Sequence, residues 1–337
     1  MQISWAAMLA VGTGLAVSPA VADEVADFYS GRTITITAAS GAGGGYGVYA
    51  QLVGEYIGRY IPGRPNVIVN YNPGGGGAIA ADHAYNVAPK DGTFILAPLQ
   101  TMPTLQLMGK TGIRYDAAKF QWIGRAAETT SGFVVSTKLA GSADGLMARE
   151  SETIVGITQI GAPNHILPAL LHFCPGMKLK LVSGYKGSPP VALAFTRGEV
   201  DGIALPLDSL RLVYPNILKD SMIAQSGLER ARDFPNVPLA IELCHDAEKR
   251  KIVEFFQVQE VMGRSLAMPP GTPPARVAAL RTAFGAAMKD PGLLAMAKER
   301  QLDINPLPGA DVQRLVERHI ATEDAMVSLA KRAVGLQ

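Results

Sequence analysis

Residues 33–61 constrain the fold more tightly than any other stretch. Thr33, Ile34, Thr35, Ile36 and Thr37 alternate polar and branched apolar side chains, the period-2 signature of a strand. A glycine-dense turn follows at once, Ser40-Gly41-Ala42-Gly43-Gly44-Gly45-Tyr46-Gly47. Beyond it Val48, Leu52, Val53, Tyr56, Ile57 and Ile61 recur at helical spacing, an apolar stripe that needs a sheet to lie on. A strand, a glycine turn and a helix start leave several main-chain N–H groups free at the positive end of the helix. With no Cβ atoms in the way, an anion can approach them closely. The turn is expected to grip a carboxylate.

The rest of the chain limits what such a turn can serve. With 337 residues, 48% of them hydrophobic, there is material for two domains or one large α/β domain with a real core. The net charge of +2, with no run of Lys and Arg, suggests neither nucleic acid nor an anionic membrane surface as partner. Residues 1–22 stand apart. Residues 5–17 are apolar but too few to span a bilayer, and Ala20-Val21-Ala22 offers a small-x-small cleavage pattern before Asp23. The n-region lacks a basic side chain, yet the pattern predicts a signal peptide cleaved near Ala22 and an exported, periplasmic product.

Along the mature chain, strands are expected at residues 66–70, 93–97, 120–124, 132–136, 153–157, 178–182 and 200–205, alternating with helices as parallel βαβ units do. Pro73-Gly74-Gly75-Gly76-Gly77 is a further glycine turn before a helix over 78–84. Gly161-Ala162-Pro163-Asn164-His165 is a second strand–turn–helix junction suited to an anion, since Pro163 fits the first turn of a helix. Tyr185-Lys186-Gly187 puts a phenol and an ammonium on a loop, useful to a carboxylate or simply solvated. The C-terminal part is mostly helical. Thr272 is expected to cap one helix and Asp290 another, each ahead of proline. A second domain over 127–221 is expected, with 23–126 and 222–337 forming the first. Cys174 and Cys244, 70 residues apart, could pair in an oxidising compartment, but two buried free thiols are expected.

Other chemistries fit poorly. Gly41-Ala42-Gly43-Gly44-Gly45-Tyr46 begins like a dinucleotide fingerprint, but Tyr46 stands where a small residue should allow helix packing. No acidic residue ends the second strand. A Walker loop, a G-x-S-x-G elbow and zinc-ligand spacings are all missing, so neither cofactor nor metal is expected. An amide nest for a small anion needs only backbone donors and survives these tests. Of the five histidines, His172, His245 and His319 suit the surface or a satisfied core. His165, beside the second turn, could donate to a ligand oxygen or cap the turn itself.

These residues resemble a known family, the solute-binding proteins of tripartite tricarboxylate transporters, or Bug-type periplasmic binding proteins. The likeness runs over residues 33–330. It rests on Gly43-Gly44-Gly45, on the stretch from Asn72 through the glycines to Ala81 with Ala88-Pro89-Lys90-Asp91-Gly92-Thr93, and on Tyr185-Lys186-Gly187-Ser188-Pro189-Pro190. Gly198-Glu199-Val200-Asp201, Phe234-Pro235-Asn236-Val237-Pro238 with Glu242, and Pro269-Pro270-Gly271-Thr272-Pro273 complete it. Each piece alone is weak; six in order are specific.

The resemblance implies an α/β, two-lobed, type II-like Venus-flytrap fold with a ligand cleft between the lobes. It also implies a non-enzymatic role: capture of a small carboxylate, by a monomer, for the membrane permease subunits of a transporter. Carried over, the carboxylate would be held by main-chain amides of Ala42, Gly43, Gly44, Gly45, Tyr46 and Gly47, and of Gly161, Ala162, Asn164 and His165. Tyr185 and Lys186 join these as ligand-binding candidates. Tyr46 and Gly47 stand where the family usually has Thr or Ser, then Asp or Asn, and Ala162 where serine is common. Both departures make the pocket less polar and favour an aromatic or otherwise apolar acid facing Tyr46 and Tyr185. The competing readings are an exported hydrolase or dehydrogenase using the same cleft, and a ligand-sensing partner of a membrane receptor.

Overall fold

A computed structural model describes residues 19–109, 111–213 and 218–336. Helix α1 (Pro19–Tyr29) leads into β1 (Thr33–Ala38), α2 (Gly45–Ile57), β2 (Asn66–Tyr71), α3 (Ala78–Asn86), β3 (Phe94–Ala97), α4 (Met102–Leu107) and β4 (Gln121–Arg125). Next come β5 (Ser131–Val135), α5 (Ala143–Met147), β6 (Thr153–Gly156), α6 (Pro163–Phe173), β7 (Leu179–Val182), α7 (Ser188–Thr196), β8 (Gly202–Pro206), α8 (Leu207–Val213), α9 (Leu218–Ser221) and β9 (Met222–Gln225). The chain returns through α10 (Ala247–Met262) and β10 (Ser265–Met268). It ends with α11 (Pro274–Ala287), α12 (Pro291–Glu299), β11 (Leu307–Pro308), α13 (Gly309–Ile320) and α14 (Asp324–Ala333).

The strands make two sheets, in the orders β11-β4-β10-β3-β1-β2 and β7-β6-β8-β5-β9. In each, the βαβ part is parallel: β1 pairs with β2 and β3, and β6 with β7 and β8. The antiparallel pairs, β10 with β3 and β4, β11 with β4, and β5 with β8 and β9, involve strands that flank the passages between sheets. Two of those passages run side by side. The Arg264 N–H donates to Ala127 O, the Ala126 N–H to Arg264 O and the Thr129 N–H to Glu260 O.

The period-2 pattern of β1 puts Ile34 and Ile36 in the core, and the α2 stripe lays Leu52, Val53 and Ile57 beside them, all 0 or 1% exposed. Each such side chain stabilises the fold by about 2 kcal/mol relative to exposure. A second core under the other sheet gathers Phe133, Val155, Ile166, Leu170 and Phe256.

Two expectations change, those for the cysteines and for Thr272. Cys174 and Cys244 are not free thiols; they form a disulfide with Cα atoms 5.3 Å apart, because the end of α6 and the segment before α10 meet over the same core. The second sheet runs past residue 221, since β9 pairs with β5, and α14 also packs against α10 and α6 on that side. Thr272 does not cap α11: Pro273 holds that position, while the Thr272 hydroxyl donates to Pro269 O. Asp290 does cap α12, accepting from Gly292 N and Leu293 N. The expected signal segment lies outside the described residues as far as residue 18, and α1 begins at Pro19.

His319 is a satisfied core group. Its Nε2 lies 2.9 Å from Thr104 Oγ1, its ring packs on Phe255, and it is 5% exposed. Burial lowers its pKa to about 4, so the folded state keeps it neutral while the unfolded chain protonates it below about 6.5. This stabilising term is complete above pH 6.5 and is lost as pH falls through 4. Denaturant unfolding of the wild type is expected to lose about 2 kcal/mol more between pH 7 and pH 5 than that of His319→Gln. Equal losses in the two proteins would contradict the assignment.

Candidate functional site

Parallel strands of both sheets point their carboxyl ends at one cavity of about 520 Å³, within the range of roughly 300–1,000 Å³ usual for small-molecule sites. From the first sheet its wall takes Ala39 to Ala42, Gly44 and Tyr46 after β1, Pro73, Gly74, Gly76 and Gly77 after β2, and Leu99 after β3. The second sheet supplies Thr158, Gln159 and Ala162 to Asn164 after β6, Gly184 to Pro189 after β7, and Leu205 and Pro206 from β8. Crevices beyond the carboxyl ends of parallel strands are where open α/β sheets bind ligands. The two walls nearly touch at one side: a Cβ on Gly43 would lie 3.8 Å from Pro189 Cγ, and one on Gly44 would lie 3.5 Å from Ser188 Oγ.

Four helices begin in this wall. Gly44, Gly77, Ala162 and Gly187 are the N-caps of α2, α3, α6 and α7, and none makes a side-chain capping bond. Of the helices that begin elsewhere, α5, α10 and α12 are capped by Ser142, Asp246 and Asp290, while α4, α11, α13 and α14 make no side-chain capping bond either. Glycine and alanine have no oxygen to offer, so the positive ends of α2, α3, α6 and α7 carry no acceptor of their own. Among the described residues, Lys186 is the one charged side chain lining the cavity. The walls are otherwise neutral, and much of their surface comes from proline, tyrosine, leucine and alanine.

The candidate residues are placed unevenly. Ala42, Gly44, Tyr46, Ala162, Asn164, Tyr185 and Lys186 line the cavity. Gly43 sits in the turn at φ +83°, a conformation that favours glycine. Gly45 is buried behind the wall and its N–H donates to Ser209 Oγ at 3.1 Å. Gly47 packs on Tyr71. His165 is buried with its Nδ1 accepting the Gly161 N–H at 3.1 Å, so His165 and Gly161 brace the turn together. Sequence reasoning overlooked Pro73, Gly74, Gly76 and Gly77 as wall residues, although the glycine run was the available signal. Ser40, Thr158, Gln159 and Ser188 carried no signal beyond their proximity to the turns.

The architecture has close counterparts among solved structures. The periplasmic binding protein BugD superposes with a TM-score of 0.74 at 19% identity, covering 92% of this chain and 99% of its own. Rpa4515 of R. palustris with adipate gives 0.72 at 19%, covering 90% and 97%. A TctC solute binding protein from Polaromonas gives 0.60 at 20%, covering 89% and 99%. The chain has the periplasmic binding protein fold. It is two-lobed, with one sheet to each lobe and the cavity as the cleft between them. No protein-family model and no curated protein sequence matches the chain.

In this binding-protein fold the lobes meet behind the cavity through a buried ion pair. Arg264, which precedes β10 of the first lobe, donates from Nε to Asp208 Oδ2 at 2.8 Å and from Nη2 to Asp208 Oδ1 at 2.6 Å, and Asp208 belongs to α8 of the second. The guanidinium lies 3.8 Å from the Tyr46 ring centroid, a cation–π contact that joins the pair to the cavity wall. The Tyr46 hydroxyl donates inward to Gln100 Oε1 at 2.8 Å, and burial pushes its pKa up to about 12. Gln100 and Thr129 in turn donate to Glu260 Oε2, whose carboxyl burial pushes upward. The phenol is therefore engaged in the joint and not directed at a guest.

Breaking one side of this pair should cost far more than removing both. Asp208→Asn leaves the Arg264 charge buried without its counter-ion and is expected to lose roughly 3–5 kcal/mol in urea unfolding. Asp208→Leu with Arg264→Met is expected to lie within about 1 kcal/mol of wild type. Equal losses in the single and double variants would contradict the ion pair's role.

Proposed function

We propose that this protein is a periplasmic solute-binding protein that captures a small carboxylate for the permease subunits of a tripartite tricarboxylate-type transporter. It binds its ligand without transforming it and acts as a monomer, exported by a signal peptide cleaved near Ala22. The ligand's carboxylate lies against the glycine turn before α2. Its body is aromatic or otherwise apolar and faces Tyr185 and the ring of Tyr46.

The observation that carries the reading is the ring of four helix starts around one cavity, each with an N-cap that lacks a side-chain acceptor. Such ends attract a negative group through main-chain donors and helix dipoles, without a mobile cation having to be buried with it. Further support comes from the adipate carried by one neighbour of the same fold and from the names of three others, the periplasmic binding protein BugD, a TctC solute binding protein and a periplasmic transporter. The scarcity of charge in the wall favours a largely apolar body over a small, multiply charged acid. Closure follows from contacts that the ligand makes to both lobes at once.

A thermal-shift series with adipate and benzoate tests this. A bound acid at 100 times its Kd should raise stability by about 2.7 kcal/mol through mass action. Gly44→Asp should abolish the rise: a Cβ fits there, so the new carboxylate adds like charge to the turn without disrupting it. A shift that survives Gly44→Asp unchanged would put the site elsewhere.

A further inference from the structure

We infer that Asn164 is a specificity-determining residue of the cavity, requiring a hydrogen-bond acceptor oxygen on the part of the ligand that meets the second lobe, and that Thr158 positions it. The inference rests on the carboxylate reading above and adds a second point of recognition.

The argument begins with how few donors the second-lobe turn has to spare. The Gly161 N–H goes to His165 Nδ1, the Ala162 N–H to Gln159 O and the His165 N–H to Ala162 O, and Pro163 has no N–H. What remains at the start of this 11-residue helix belongs to Asn164, which lines the cavity and is 4% exposed. Its Oδ1 accepts twice from Thr158, from the hydroxyl at 2.8 Å and from the main-chain N–H at 3.3 Å. A main-chain N–H can only donate, so the amide orientation is fixed with oxygen toward Thr158 and nitrogen turned away.

That nitrogen, Asn164 Nδ2, is buried without a hydrogen-bond partner. An orphaned buried donor is costly, and natural structures keep one chiefly where a function uses it. Asn164 lines the cavity beside the positive end of α6, so an oxygen lone pair of the guest is the partner inferred for a nitrogen that the cleft leaves almost without accessible surface. A methyl group or an N–H in that place leaves the donor unsatisfied. Sites built around a hydrogen bond reject analogues that lack it more strongly than apolar pockets reject a change of shape. The glycine turn thus takes the ligand's carboxylate, and Asn164 selects among carboxylates by what they carry at a distance from it.

Calorimetric titration with two probes of nearly equal shape, 5-oxohexanoate and 5-methylhexanoate, tests this, because they differ in a carbonyl oxygen at one position. Wild type is expected to bind the oxo acid about tenfold more tightly. Asn164→Leu should erase the ratio. Asn164→Asp, which keeps the acceptor for Thr158 and turns a second oxygen toward the guest, should erase or invert it. Thr158→Val should shrink the ratio by freeing the amide to turn. General damage to the fold weakens both probes together and leaves the ratio intact, so the ratio isolates the proposed role. Equal binding of both probes by wild type, or a ratio retained in Asn164→Asp, overturns the inference while leaving the carboxylate reading in place. Failure of both probes to bind at millimolar concentration overturns the two together.

Discussion

Gly45 has no side chain, and the relation between the lobes depends on that. A Cβ there would stand 2.6 Å from Asp208 Oδ1, so any other residue would push α8 away from α2. With glycine in place, the Gly45 N–H reaches Ser209 and Asp208 reaches Arg264, which stacks on Tyr46 of the next helical position. The first residues of α2 therefore face two ways. Gly44 looks into the cavity, while Gly45 and the Tyr46 hydroxyl are tied into the joint behind it. Position of the anion-facing turn and position of the second lobe are set by one cluster of contacts, centred on a buried charge pair whose desolvation cost offsets much of its attraction.

The wall itself trades stability for function. A side-chain cap typically contributes about 1 kcal/mol to a helix, and all four helices that start at the cavity, α2, α3, α6 and α7, forgo it, as do α4, α11, α13 and α14 elsewhere, while α5, α10 and α12 keep theirs. At α6, where Pro163 has no N–H and the His165 N–H goes to Ala162 O, the donors left to the wall are those of Asn164. Part of the compensating stability comes from elsewhere, from two large cores and from the Cys174–Cys244 disulfide, whose closed loop of 70 residues is worth roughly 4 kcal/mol by the chain-entropy argument.

Much of this was legible in the sequence where local rules govern. The alternation of β1, the glycines after it and the helical stripe of α2 predicted a strand–turn–helix unit, and Pro163 marked the first turn of α6. Strands β9 and β10 were not legible. Each is four residues, fully buried, and carries no alternation, so its identity comes from neighbours on other parts of the chain. The disulfide was hidden for the same reason, since it depends on a tertiary meeting of distant segments. Tyr46 illustrates a subtler limit: its place beside the glycines suggested a ligand contact, but Gln100 and Arg264, far away in sequence, determine where its hydroxyl and ring go. Thr158 gave no sign of its hold on Asn164, because a threonine after a strand is ordinary until its partner is known.

The central claim is that main-chain donors on both lobes close on one acid. Amide chemical shifts followed by NMR during titration with adipate test it most directly. The account predicts that the Gly44, Tyr46 and Asn164 amides move together with a single saturation curve, since one guest bridges both walls. Shifts confined to one lobe, or centred away from these three residues, would contradict it.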